Sequence, residues 1–131
     1  MYALNATTGA LLWQYTTGGN VESSPAVAEG VVYIGSGDGY LYALNASTGA
    51  PLWNYLIGGY VGSSPAVANG VVYVGCGDFC NNVYALNAST GALLWQYTTG
   101  NYVVTSPTVA NGVVYVGSSD NNLYAFHLPN H

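Results

Sequence analysis

The side chains able to carry chemistry are few. Carboxylates stand at Glu22, Glu29, Asp38, Asp78 and Asp120, imidazoles at His127 and His131, and thiols at Cys76 and Cys80; Lys and Arg do not occur. Carboxylates could ligate a hard cation or move protons, and a Cys pair could close a disulfide or hold a metal. Asp38, Asp78 and Asp120 recur at one place in a repeated pattern, between two strand-like segments, where a turn residue belongs. The Cys pair lacks the two further ligands at suitable spacing that a zinc site needs. His127 and His131 fall in a terminal stretch without clear periodicity, which reads as a tail. No catalytic residue, metal or cofactor is therefore expected.

The missing cations exclude several functions. Nucleic-acid binding draws much of its affinity from Lys and Arg on phosphates, and docking on anionic membrane surfaces draws on the same residues. Schiff-base lysines, phosphate clamps and ordinary salt bridges are excluded too. Half the residues are apolar, so stability must come from apolar burial, aromatic packing and hydrogen bonds. No apolar run approaches the roughly 20 residues of a membrane-spanning helix, and because Met1 runs directly into repeat sequence no targeting segment is expected within these residues. A cytosolic product, a mature secreted chain and a piece of a longer protein all remain open. An extracellular or cell-surface setting is the expected location. Met1 stands where other copies have Leu41 or Val83, which points to a fragment or a truncated gene.

The elements that position these residues repeat. Tyr2, Tyr42, Tyr84 and Tyr124 recur at spacings of 40, 42 and 40 residues, the period of a repeat architecture. In the middle unit, Ser63–Gly70 (SSPAVANG) is a short apolar alternation ending in Asn-Gly, a tight-hairpin signal. Val71–Gly75 (VVYVG) suits a strand buried on both faces. Val83–Asn87 (VYALN) follows, then a turn, then Ala92–Gly100 (ALLWQYTTG). Four short strands joined by Gly, Asn and Pro turns make an antiparallel meander, and about 40 residues of it make a propeller blade. With the strands lettered A to D, the single 1–131 domain reads as C–D over 1–19, a blade over 20–59, a blade over 60–100 and A–B–C over 101–131. The fold class is all-β: about three four-stranded antiparallel blades, starting and ending in mid-blade.

Within each unit runs Ala-x-Asn-x-x-Thr-Gly-x-x-x-Trp, from Ala3 to Trp13, Ala43 to Trp53 and Ala85 to Trp95. This resembles the quinoprotein-type propeller repeat found in pyrroloquinoline quinone (PQQ) dehydrogenases and in the outer-membrane assembly lipoprotein, where it is called the tryptophan docking motif. The resemblance implies that Trp13, Trp53 and Trp95 pack against the Thr-Gly turns of neighbouring blades, at Gly9, Gly49 and Gly91. The chain departs from the family in having Asn5, Asn45 and Asn87 in place of a usual Asp, and Ala10, Ala50 and Ala92 in place of a frequent Lys. The last unit, LYAFHLPNH, lacks the Asn, the Thr-Gly and the Trp. Family enzymes also carry calcium, a catalytic Asp and often adjacent cysteines; Cys76 and Cys80 are not adjacent.

Cys76 and Cys80 bracket a two-residue insertion, CGDFCNN, and are expected to form a small disulfide, the other reading being two free thiols. Asn5, Asn45 and Asn87 match the N-glycosylation pattern, or serve simply as turn residues. Tyr60, Phe79 and Tyr102 fall in loops that would share one face of the disc, a candidate binding surface or merely solvent-tolerant aromatics.

The strand count leads to a reading of function. The chain is expected to be a non-catalytic structural or interaction module that assembles with itself. Two copies would close a six-bladed homodimeric ring, the D strand of each completing the A–B–C sheet of the other. One C strand is left over at each join, and the Met1 end is expected to yield. The alternatives are a larger homo-oligomer or head-to-tail fibre, a fragment of a longer propeller binding protein, and, last, a quinone-dependent dehydrogenase.

Overall fold

A computed structural model describes residues 1–77 and 80–128, and among these there is no helix. The strands form four antiparallel sheets. The first holds β1 (Tyr2–Leu4) and β2 (Leu11–Gln14). The second runs β3 (Ala26–Ala28), β4 (Val31–Gly35), β5 (Tyr40–Asn45) and β6 (Pro51–Leu56). The third repeats it with β7 (Ala66–Ala68), β8 (Val71–Gly75), β9 (Asn82–Asn87) and β10 (Leu93–Thr98). The fourth holds β11 (Thr108–Ala110), β12 (Val113–Gly117) and β13 (Leu123–His127). Each sheet is a meander with its strands in sequence order. This is the all-β, partial-blade architecture expected from the sequence.

Turn chemistry fixes the hairpins. The A–B turns place Glu29-Gly30, Asn69-Gly70 and Asn111-Gly112 at positive φ, between 51° and 77°, as a two-residue primed turn requires. Asn and Gly tolerate that region, whereas Glu29 adopts it at some cost. In the C–D turns, Asn45 Oδ1 accepts hydrogen bonds from the N–H groups of Ser47 (2.9 Å) and Thr48 (3.1 Å). Asn5 and Asn87 do the same for the two residues at the matching places. The side chain thus caps the reversal.

Burial follows the order of the sheets. Three apolar clusters lie between successive sheets: one around Trp13, Ile34 and Leu44, one around Tyr33, Val74 and Leu86, and one around Tyr73, Val103 and Val116. Strand β8 is buried along its whole length, having a sheet on either side, while β13 alternates between exposed and half-buried. Two glycines let the sheets approach closely. A Cβ on Gly35 would lie 2.4 Å from Val61 Cγ1, and one on Gly75 the same distance from Val103 Cγ1. Real Cβ atoms do not stand at such distances, so both sites need glycine.

Candidate functional site

The feature built most consistently in this chain is the contact between one sheet and the next. Trp13, on the D strand of the first sheet, lies over Gly49 in the C–D turn of the second, and its ring N–H donates to Ala46 O at 2.9 Å. Trp53 lies over Gly91 in the same way and donates to Ala88 O at 3.0 Å. A Cβ on either glycine would stand 2.6 Å from the indole. Each Trp therefore docks one sheet forward. Gly9, expected to take part, has nothing within 4 Å of its would-be Cβ. Trp95 packs on Tyr73 and Phe126 instead, because the fourth sheet carries no Thr-Gly turn to receive it.

A second set of links runs through the Ser-Pro segments that lead into the A strands, which the sequence reading did not single out. Ser24 N donates to Ser64 Oγ at 2.7 Å, and Ser64 N to Ser106 Oγ at 3.0 Å. The preceding residues Ser23, Ser63 and Thr105 each accept from the N–H that ends a B strand, at Gly35, Gly75 and Gly117. The signal was present as the recurring Ser-Ser-Pro and Thr-Ser-Pro triplets.

The aspartates make a third set. Asp38 accepts from the N–H groups of Gly18 in the preceding D–A loop (2.9 Å) and of Tyr40 (3.0 Å), and from the Tyr42 hydroxyl. Asp120 accepts from Gly100 N (2.9 Å), Asn122 N (2.9 Å) and the Tyr124 hydroxyl. Burial pushes the Asp38 carboxyl up, but the bonds from Tyr42, Tyr40, Gly18 and Ser36 together outweigh it, and its pKa lies below the ordinary value. The Tyr124 hydroxyl leads the donors that hold Asp120 down at about 2. In return Tyr42 is raised by burial and by its bond to Asp38, and Tyr124 chiefly by its bond to Asp120. These carboxylates are acceptors already satisfied by the fold. Asp78 lies outside the described residues.

The remaining candidates are scattered. Cys76 and Cys80 are joined as a disulfide in the loop that follows β8. Asn5, Asn45 and Asn87 sit in the C–D turns, each with its side-chain carbonyl engaged by the turn. The Tyr60 ring rests against Gly37 and Gly62, at a shallow cavity of about 300 Å³ that Glu22, Gly77 and Val104 also line. Tyr102 is exposed, and Phe79 lies outside the described residues. His127, read from the sequence as part of a tail, instead ends β13, where it pairs with Val113 and is exposed; Glu22 and Glu29 are exposed, and His131 lies outside the described residues.

A quinone with its calcium ion does not fit these residues. Among the described residues no three of His, Cys, Asp and Glu come together as a cation site, the chain offers no Lys or Arg to a quinone carboxylate, and Asp38 and Asp120 are committed to turns. No helix among the described residues is long and apolar enough to cross a membrane.

Comparison with known proteins gives a consistent picture. The family model described as "Outer membrane protein assembly factor BamB", built on PQQ-type repeats, matches residues 1–79 and 58–128. No curated protein matches the chain by sequence. Among solved structures, BamB from Moraxella catarrhalis is similar with a TM-score of 0.82 at 26% identity, over 97% of this chain and 39% of that one. The quinohemoprotein alcohol dehydrogenase ADHIIG from Pseudomonas putida HK5 aligns with a TM-score of 0.80 at 24% identity, over 89% of this chain and 25% of that one; at that identity the likeness speaks to fold alone. A europium-containing methanol dehydrogenase aligns with a TM-score of 0.67 at 28% identity, over 75% of this chain and 21% of that one. The chain thus spans well under half the length of each.

Proposed function

The chain belongs to the PQQ-type propeller-repeat family represented by the outer membrane protein assembly factor BamB, and on that premise we propose that it is a non-catalytic structural and interaction module whose end sheets pair with further repeats of the same kind. The observation carrying this reading is the repetition of one set of contacts at successive sheet boundaries, with unused halves at both ends. Two of the five carboxylates, Asp38 and Asp120, are spent on that same set, as acceptors linking loops of adjacent sheets. The end sheets bear exposed apolar side chains, among them Tyr2 at 70% and Leu123 at 71% exposure, on strands with bare edges, which associate or aggregate if left uncovered.

Self-assembly into a closed homodimeric ring is the form this takes for the chain alone. The experiment is light scattering after gel filtration, with about twice the chain mass of 13.6 kDa expected. A folded monomer at every concentration tested would overturn it. A second reading has its own support: the chain matches only 39% of the BamB chain, so the same sheets could be part of a longer propeller whose partner-binding surface is complete only in the whole. The length of the natural gene distinguishes the two.

A further inference from the structure

We propose that the fourth sheet is completed by a second copy of this chain, whose β2 pairs with β13 and whose Gly9 turn seats beneath Trp95. The inference deepens the self-assembly reading and rests on it.

Three unfilled positions carry the argument, and each has a filled counterpart elsewhere in the molecule. Trp13 and Trp53 each cover a glycine one sheet ahead. Trp95, on the D strand of the third sheet, requires a Thr-Gly turn in the fourth, which supplies none from its own sequence. Gly9 is such a turn glycine, with φ of 75° like Gly49, yet it is exposed with nothing above it. The third position is a hydroxyl. Tyr33 OH donates to Ala88 O of the next sheet at 3.0 Å. Its counterpart Tyr73 is wholly buried and faces the fourth sheet, but its hydroxyl has no hydrogen-bond partner among the described residues. An unsatisfied buried hydroxyl is costly; one sheet earlier a carbonyl of a completed C–D turn satisfies it, and here the carbonyl in the matching place, that of Leu128, makes no bond to it.

The same chain therefore holds a docking Trp without its turn and a turn without its docking Trp. Simple stacking of the first sheet of one copy on the fourth sheet of another would not unite them, because a Trp docks one sheet forward and Trp95 stands on the third. They unite only if β2 of the second copy becomes the D strand of the fourth sheet. The register follows from β9 and β10, where Leu93 faces Leu86, Trp95 faces Ala85, Gln96 faces Tyr84 and Tyr97 faces Val83. Transferred to the join, Leu11 faces Phe126, Trp13 faces Ala125, Gln14 faces Tyr124 and Tyr15 faces Leu123. β2 exchanges its partner β1 for β13, and Leu123 and Ala125 take the places that Met1 and Ala3 hold against the first core cluster. The exchange favours β13 because it is tied to β12 over five positions and by Leu128 N to Gly112 O at 2.8 Å, the bond that Ala46 N and Ala88 N make to Gly30 O and Gly70 O, so His127 and Leu128 hold the places of Asn5 and Ala6 and the second copy enters the turn from Thr7 onward. β1 pairs at only three, with a register shift, in a two-stranded sheet, and such sheets are marginal alone.

The test compares Gly9→Asn with Gly30→Asn by light scattering over a concentration series. Asn accepts positive φ, and a Cβ at either site meets nothing within 4 Å inside the chain. Wild type and Gly30→Asn are expected to associate alike, while Gly9→Asn, with a side chain thrust under the indole, requires about tenfold or more protein to do so. If wild type associates and Gly9→Asn associates equally well, or if both variants are weakened alike, the seat is wrong and self-assembly stands. Wild type that stays monomeric throughout overturns both.

Discussion

Trp53 covers Gly91 so closely that a Cβ there would fall 2.6 Å from indole Cε3, while the ring N–H donates to Ala88 O in the same turn. One side chain thereby fixes both the spacing and the angle between two sheets.

The glycine side of this contact is buried between exposed neighbours in the turn and should be sensitive to substitution. Gly91→Ala combines a positive φ with overpacking, so a loss of about 2–4 kcal/mol is expected. Gly9→Ala has the same φ without the clash and should cost about 1 kcal/mol in the unassociated chain. Urea unfolding at low protein concentration measures the difference; equal losses would show that the indole does not press on Gly91.

Trp53→Ala should cost about 3–5 kcal/mol, as for a large aromatic whose loss leaves a cavity. Trp53→Phe retains most of the packing but abandons the bond to Ala88 O, leaving a deficit of about 1 kcal/mol beyond lost area. A Trp53→Ala chain within 1 kcal/mol of wild type would remove docking from the account of stability.

The Asp–Tyr pairs set the pH limits. Asp38 and Asp120 have folded pKa values below their ordinary value, so their contribution is present above the unfolded carboxylate pKa of about 3.9 and is lost as pH falls through the folded value. Tyr42 and Tyr124 are raised; their contribution is complete below about pH 10 and declines as pH rises beyond it. Melting temperature should be level from about pH 5 to 9 and fall on both sides. In Asp38→Asn the acid limb should be shallower than in wild type; an unchanged limb would contradict the assignment.

The disulfide should matter little to global stability. The chain purified in air is expected to show no free thiol until reduced. Because the loop closed by Cys76 and Cys80 is short, reduction should cost at most about 2 kcal/mol. Two reactive thiols in the native protein would rule the bridge out in solution, and a collapse of the fold on reduction would show that the loop does more than local work.

The elements were legible in the sequence because their determinants are local. Asn69-Gly70 and Asn111-Gly112 dictate hairpins, Val71–Gly75 carries the apolar run of a strand covered on both faces, and Asn45 caps its own turn. Which glycine each Trp covers was not legible. Trp13 is four residues from Gly9 in sequence but rests on Gly49, because a D strand looks across to the next sheet and not back to its own turn. The carboxylate of Asp120 reads as a turn residue in sequence; that it also takes the Tyr124 hydroxyl and an N–H from the preceding sheet depends on how the sheets stack. Trp53 is only half-buried, although Trp13 on the equivalent strand is buried.

The succession of cores, each confined to one boundary between neighbouring sheets, has a kinetic consequence. Among the described residues no core cluster joins sheets two places apart, so unfolding need not be all-or-none and can be described by nearest-neighbour couplings, as in linear repeat arrays. Amide hydrogens of β8, shielded by a neighbour on either side, should exchange last, and those of β1 and β13 first, by fraying that travels inward. Joining the two ends would abolish that gradient, because a closed circuit has no first unit to lose.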